Sequence, residues 1–263
     1  MMGRTTLFMV PLQMLLSAAF MVLVTPAIAA DNQCIGCHQD SDFYARYPRL
    51  HAYYQDWLQS PHKMAGATCD DCHGGNPAAQ SMDEAHSGVL PVSDEQSLLH
   101  FRQQPDTCGG CHADKRAQFV QSKHYEALTG ERAAPTCTTC HPAMNRRPEY
   151  RSIVLNACRN CHDEGNSGNL PLIAEQAESV FQQLNIASGF LGWANIYYES
   201  HGWPDDSATQ VRELEERYRL VLDQVHKFDM NETEDAMSEI QGELREMFDT
   251  ARRIKMQEAE AGS

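Results

Sequence analysis

Cys34-Ile35-Gly36-Cys37-His38 opens a pattern that recurs as Cys69-Asp70-Asp71-Cys72-His73, Cys108-Gly109-Gly110-Cys111-His112, Cys137-Thr138-Thr139-Cys140-His141 and Cys158-Arg159-Asn160-Cys161-His162. All ten cysteines of the 263-residue chain lie in these five copies. Two thiols three positions apart share one helical turn, where they add across the two vinyl groups of a porphyrin. The histidine that follows turns its imidazole to the iron. Structural zinc also uses paired cysteines, but it needs four ligands per site and no histidine directly after every pair. Disulfides suit an exported chain, yet ten cysteines seldom form only CxxC pairs. The expectation is five covalently attached haem c groups. Cys34, Cys37, Cys69, Cys72, Cys108, Cys111, Cys137, Cys140, Cys158 and Cys161 would hold them, and His38, His73, His112, His141 and His162 would be the proximal ligands.

Motif starts lie 35, 39, 29 and 21 residues apart. That is too little polypeptide for a conventional core around each, so the porphyrins themselves are expected to fill a turn-rich N-terminal region. Of the twelve histidines, seven remain as distal candidates: His51, His62, His86, His100, His124, His201 and His226. Two of them sit in an internal repeat, Trp57-Leu58-Gln59-Ser60-Pro61-His62 and Phe119-Val120-Gln121-Ser122-Lys123-His124, each ahead of a Thr-Cys attachment site. Histidine on both faces closes the iron to substrates and suits electron transfer. Met144, three residues after His141, is a weaker thioether candidate, since methionine more often fills a core.

These residues carry a resemblance. The Trp-x-x-Ser-x-His unit, the run Thr68-Cys69-Asp70-Asp71-Cys72-His73-Gly74-Gly75-Asn76-Pro77 followed by Ala85-His86-Ser87-Gly88, and Pro135-Thr136-Cys137-Thr138-Thr139-Cys140-His141 are similar to multihaem cytochromes c. Within them the sequence resembles the hydroxylamine oxidoreductase and tetrahaem ammonia-oxidiser cytochrome superfamily over about residues 34 to 162. The resemblance implies closely packed haem pairs used as periplasmic electron wires. Catalytic relatives carry eight haems, and ammonia-forming nitrite reductases carry CxxCK, which is absent here. Related proteins often read Cys-His-Gly-x-His where this chain has Cys140-His141-Pro142-Ala143-Met144, so one distal ligand is expected from elsewhere, His201 or His226.

Outside the motif region, the N-terminal stretch reads as an address. Arg4, the apolar run Leu12 to Val24, the break at Thr25-Pro26 and the small residues Ala27-Ile28-Ala29 predict a signal peptide over 1–29 and export to the periplasm. Retained as an anchor, Leu7 to Ala30 would tie the protein to a membrane. Residues 30–170 would form the pentahaem c-type cytochrome domain and 171–263 a C-terminal helical region. There, Ile173, Ala177, Val180, Leu184, Ala187, Leu191, Ala194 and Tyr198 follow heptad spacing, as do the runs Val211 to Phe228 and Met237 to Ile254. Breaks at His201-Gly202-Trp203-Pro204 and Asp229-Met230-Asn231, the latter with a capping box from Asn231 to Glu234, predict three long antiparallel helices. The fold class is mainly α.

Formal net charge is −15, from 36 acids and 21 bases, which excludes nucleic acid as a main partner. The acidic tail reads first as a solvated bundle face and second as a docking surface for a basic redox partner. Its heptads also allow a homo-oligomer. The leading functional expectation is a respiratory periplasmic pentahaem cytochrome. It would relay single electrons from a donor such as a quinol dehydrogenase to a terminal reductase or another cytochrome. The alternatives are an oxidoreductase of a small nitrogen or sulfur compound at one five-coordinate haem, with Tyr197, Tyr198 and His201 moving protons, and a membrane-anchored quinol-oxidising cytochrome.

Overall fold

The computed structural model describes residues 32–130, 132, 134–141, 144, 157–163, 165, 170–202 and 207–261. The expected signal segment 1–29 lies outside them, as do Trp203 and Pro204. Among the described residues there is no strand, and no helix is long and apolar enough to cross a membrane.

The motif region is a string of short helices: α1 (Gln33–His38), α2 (Ser41–Arg46), α3 (Pro48–Leu58), α4 (Pro61–Met64), α5 (Asp70–His73), α6 (Met82–Ala85), α7 (Gln104–Gly109), α8 (Ala113–Phe119), α9 (Lys123–Thr129), α10 (Cys137–Cys140) and α11 (Arg159–His162). Helices this short do not stand on propensity, and six of the eleven are held by side-chain caps. Asn32, Asp40, Ser60, Ser81 and Ser122 each accept a backbone N–H in the first turn of α1, α2, α4, α6 and α9. Thr136 and Thr139 close a reciprocal capping box on α10. Such a cap is worth about 1 kcal/mol.

The tail forms three long helices, α12 (Pro171–His201), α13 (Ser207–Gln224) and α14 (Met230–Ala261), the last two separated by a 3-10 turn at Val225–Lys227. The heptad seam is the core: Ala177, Val180, Leu184, Ala187, Leu191, Ala194 and Tyr198 meet Val211, Leu214, Val221, Met237, Ile240, Leu244, Met247 and Ala251. Each large side chain buried this way stabilises by about 1.5–3 kcal/mol. The direction is up-down-up. Gln176 reaches Asn231, Gln241 donates to the Gln183 carbonyl and Phe190 meets Phe248, so α12 and α14 run together. Tyr218 donates to the Leu184 carbonyl while Asn195 bonds Glu215, so α13 runs against α12.

Two local expectations need correction. Ile173 stays exposed and Ala174 takes the buried seat, because the seam enters the bundle one residue later. The cap of α14 is Asp229, whose carboxylate accepts the Glu232 N–H at 3.1 Å; Asn231 is already inside the helix and bonds Gln176 instead.

Candidate functional site

The internal repeat has a structural meaning. In both copies the serine N–H and the carbonyl of the aromatic residue three positions earlier form a 2.9 Å bond, Ser60 to Trp57 and Ser122 to Phe119. The serine Oγ then caps the next helix, accepting Lys63 N–H at 3.2 Å and Tyr125 N–H at 3.1 Å. This puts His62 and His124 at the second position of a capped helix, one turn from a buried aromatic anchor. His86 arrives by a different route. Gly74 and Gly75, at φ 72° and 92°, turn the chain out of the second motif. A Cβ on Gly75 would stand 2.5 Å from the Ala85 carbonyl oxygen. Asn76 N–H donates to that same carbonyl, and Gln33 N–H donates to the Pro77 carbonyl, which folds the His86 turn against α1.

Four motif histidines each face one surplus histidine. His38 faces His86 with ring centroids 6.3 Å apart, His112 faces His62 at 6.2 Å, His162 faces His124 at 5.9 Å and His141 faces His226 at 6.1 Å. A metal held between two imidazoles at nitrogen distances of about 2.0–2.1 Å leaves ring centroids roughly 6 Å apart. The plane angles run from 18° for His141 and His226 to 74° for His62 and His112, which ligation permits because each ring rotates about its own metal–nitrogen bond. His86 donates Nδ1–H to the Met82 carbonyl at 2.9 Å and His226 to the Leu222 carbonyl at 3.0 Å, leaving Nε2 as the nitrogen available to a metal.

The remaining candidates are placed differently. His73 faces no second histidine ring among the described residues, while His100 is 6 % exposed with a buried Nδ1 that no protein group partners. His124 and His162 also have a buried Nδ1 with no hydrogen-bond partner. His51 is held by protein at both nitrogens, Nδ1 to the His38 carbonyl at 3.2 Å and Nε2 to Gln55 at 3.1 Å. Met144 lies in a turn beyond His141, whose facing group is His226. His201 stacks on Tyr197 at 4.4 Å at the far end of α12. Roughly 35 Å of helix separates it from Glu178, which pairs with Arg159 of the fifth motif. Tyr197, Tyr198 and His201, the trio expected to move protons, therefore lie at the end of α12 remote from the fifth motif.

Burial holds His38, His73, His141 and His226 below the usual imidazole range. It takes His124 down to about 4, with His162 adding to the effect. These rings are neutral at pH 7, the form that binds iron. Burial also pushes the Cys69 and Cys140 thiols up to about 11. No cysteine is in a disulfide. Thiols of successive motifs are neighbours in chain order: Cys34 with Cys69, Cys72 with Cys108, Cys108 with Cys137, and Cys140 with Cys158. Gln104 cements the third step, its Oε1 accepting from the hydroxyls of Thr136 and Thr138. Among the described residues no cluster of three or more His, Cys, Asp or Glu is arranged to hold a bare metal ion. A porphyrin iron needs only the facing pair, because the macrocycle supplies the other four nitrogens. The paired thiols and facing imidazoles suit that group.

No protein-family model matches the chain, and no solved structure does. Two curated relatives match: the C-type polyheme cytochrome OmcB of Geobacter sulfurreducens, from strain DL-1 / KN400 and from strain ATCC 51573 / DSM 12127 / PCA. Each is 32% identical over 171 residues, covering 53% of this chain. The chain spans about a fifth of the length of these relatives. The likeness and the five motifs together support a multihaem c-type cytochrome. The comparisons do not extend to the narrower hydroxylamine oxidoreductase group.

Proposed function

We propose that this chain is a pentahaem c-type cytochrome of the periplasm that relays single electrons between redox partners. The observation that carries the proposal is the set of four facing histidine pairs, each joining a motif histidine to one from elsewhere in the chain. A haem held between two histidines supplies reversible one-electron iron chemistry without an open coordination position. The ten cysteines fix each group covalently, the caps and backbone bonds orient the imidazoles, and the chain-order contacts between motifs keep neighbouring groups close. Donor and acceptor would be other redox proteins, a quinol dehydrogenase on one side and a reductase or further cytochrome on the other.

One observation favours a second reading. His73 faces no histidine ring among the described residues, which is the arrangement expected of a haem that takes a small nitrogen or sulfur compound as its sixth ligand. Carbon monoxide titration of the dithionite-reduced holoprotein separates the two. A relay with every iron closed binds none, whereas an open second site binds about one equivalent per chain. A haemochrome count other than five would contradict both.

A further inference from the structure

Asp223 is a buried carboxylate on the last turn of α13, 7 % exposed. Its partner is Lys115 of α8, 108 residues away in sequence. Because α8 follows His112 directly, Lys115 is tied to the third motif. With Arg159–Glu178, this is one of two ion pairs among the described residues that join the motif region to the bundle. The apolar seam of the bundle does not need it, and a charge so placed is costly unless paired.

Three residues after Asp223 stands His226, whose Nδ1 lies 3.2 Å from the Asp223 carbonyl as well as 3.0 Å from that of Leu222. The chain then turns at Phe228, with φ 59° and ψ 27°, the only non-glycine residue at positive φ among those described. A large side chain in the left-handed region is strained, and such strain persists only where surrounding contacts hold it. Here the Phe228 ring stands edge-on to His124 at 4.5 Å and to Phe119 of α8 at 6.2 Å. One turn thus touches two motifs: His226 faces His141, and Phe228 braces the His124 that faces His162.

We propose that Lys115, Asp223 and Phe228 are positioning residues for the two C-terminal irons. The ion pair locks the Val225–Phe228 turn to the motif region so that His226 stands opposite His141, and Phe228 holds His124 opposite His162. The bundle then serves as a clamp that delivers one sixth ligand and steadies another. This inference rests on the haem reading of the motifs.

The test is low-temperature EPR of the oxidised full-length holoprotein, with pyridine haemochrome quantitation and circular dichroism, for Lys115→Met, Asp223→Asn, Lys115→Arg and Phe228→Gly. His226→Ala is the reference. Lys115→Met and Asp223→Asn are expected to keep the haem count and helicity of the wild type while about one ferric haem per chain turns high-spin, as in His226→Ala. Lys115→Arg restores the low-spin signal. Phe228→Gly relieves the backbone but removes the ring, and it shifts the g-values of a different low-spin haem. Wild-type low-spin spectra in both Lys115→Met and Asp223→Asn would overturn the proposal. Should Lys115→Met lose haem or helix, the near-isosteric Asp223→Asn decides alone. A wild type without covalent haem at the fourth and fifth motifs would overturn the haem reading and this inference with it.

Discussion

Between Pro171 and Ala261 the chain buries a continuous apolar seam, whereas the described part of residues 32–165 buries only Trp57, Ala79, Pro105, Phe119 and Leu128 among its apolar side chains. The two regions are held by different means. In the bundle, apolar side chains on three helices exclude water from one another. In the motif region, six of the eleven short helices carry side-chain caps, yet Tyr44, Tyr47, Leu50, Tyr53, Met64 and Met82 remain exposed. A chain segment this poor in buried apolar area cannot offset its own conformational entropy. The difference teaches that one region brings its core with it and the other is built to receive one.

The comparison breaks most visibly if haem attachment is withheld. In the full chain expressed without covalent haem, the account predicts hydrogen-exchange protection over Pro171–Ala261 and little over residues 32–165. Equal protection in both would end the distinction. A smaller effect follows from Leu184→Ala, which opens a cavity in the seam and should cost about 2–5 kcal/mol. Thermal unfolding of the holoprotein followed by circular dichroism would show it, while spectra of the haems at the first three motifs stay unchanged at room temperature. Ser60→Ala and Ser122→Ala should each cost about 1 kcal/mol by the loss of one helix cap. Denaturant unfolding should give the larger loss for Ser60, whose Oγ also donates to the Trp57 carbonyl at 2.7 Å. The smallest effect is expected at Arg217, which pairs with Glu239 and Glu243 on α14. Arg217→Gln should cost no more than about 1 kcal/mol, and less in high salt.

The bundle was legible because one physical term dominates it. Heptad spacing marks Val180, Leu184, Leu214, Ile240 and Leu244, and all are buried. Its errors are end effects: Ala174 in place of Ile173, and Asp229 in place of Asn231 as the cap. The motif region was legible in chemistry rather than in shape. The spacing of CxxCH singled out the ten cysteines expected to attach haem, and the Ser-x-His repeat singled out His62 and His124, which the structure sets against His112 and His162. Pairing across the chain was not readable, because it depends on where loops turn. His86 reaches His38 through two positive-φ glycines, and His226 reaches His141 through a left-handed Phe228. The departure from Cys-His-Gly-x-His pointed to a histidine of the tail without choosing between His201 and His226, and the structure sets His226 against His141. The Lys115–Asp223 pair spans too much sequence to leave any local signal.

The central claim is that the chain sets facing histidine pairs around its irons. Its most direct test is low-temperature EPR with near-infrared magnetic circular dichroism on the oxidised holoprotein, normalised to haem by the pyridine assay. The account predicts five haems per chain, at least four of them low-spin with bis-histidine charge-transfer bands. Fewer than four such haems, or methionine–histidine bands in their place, would contradict it.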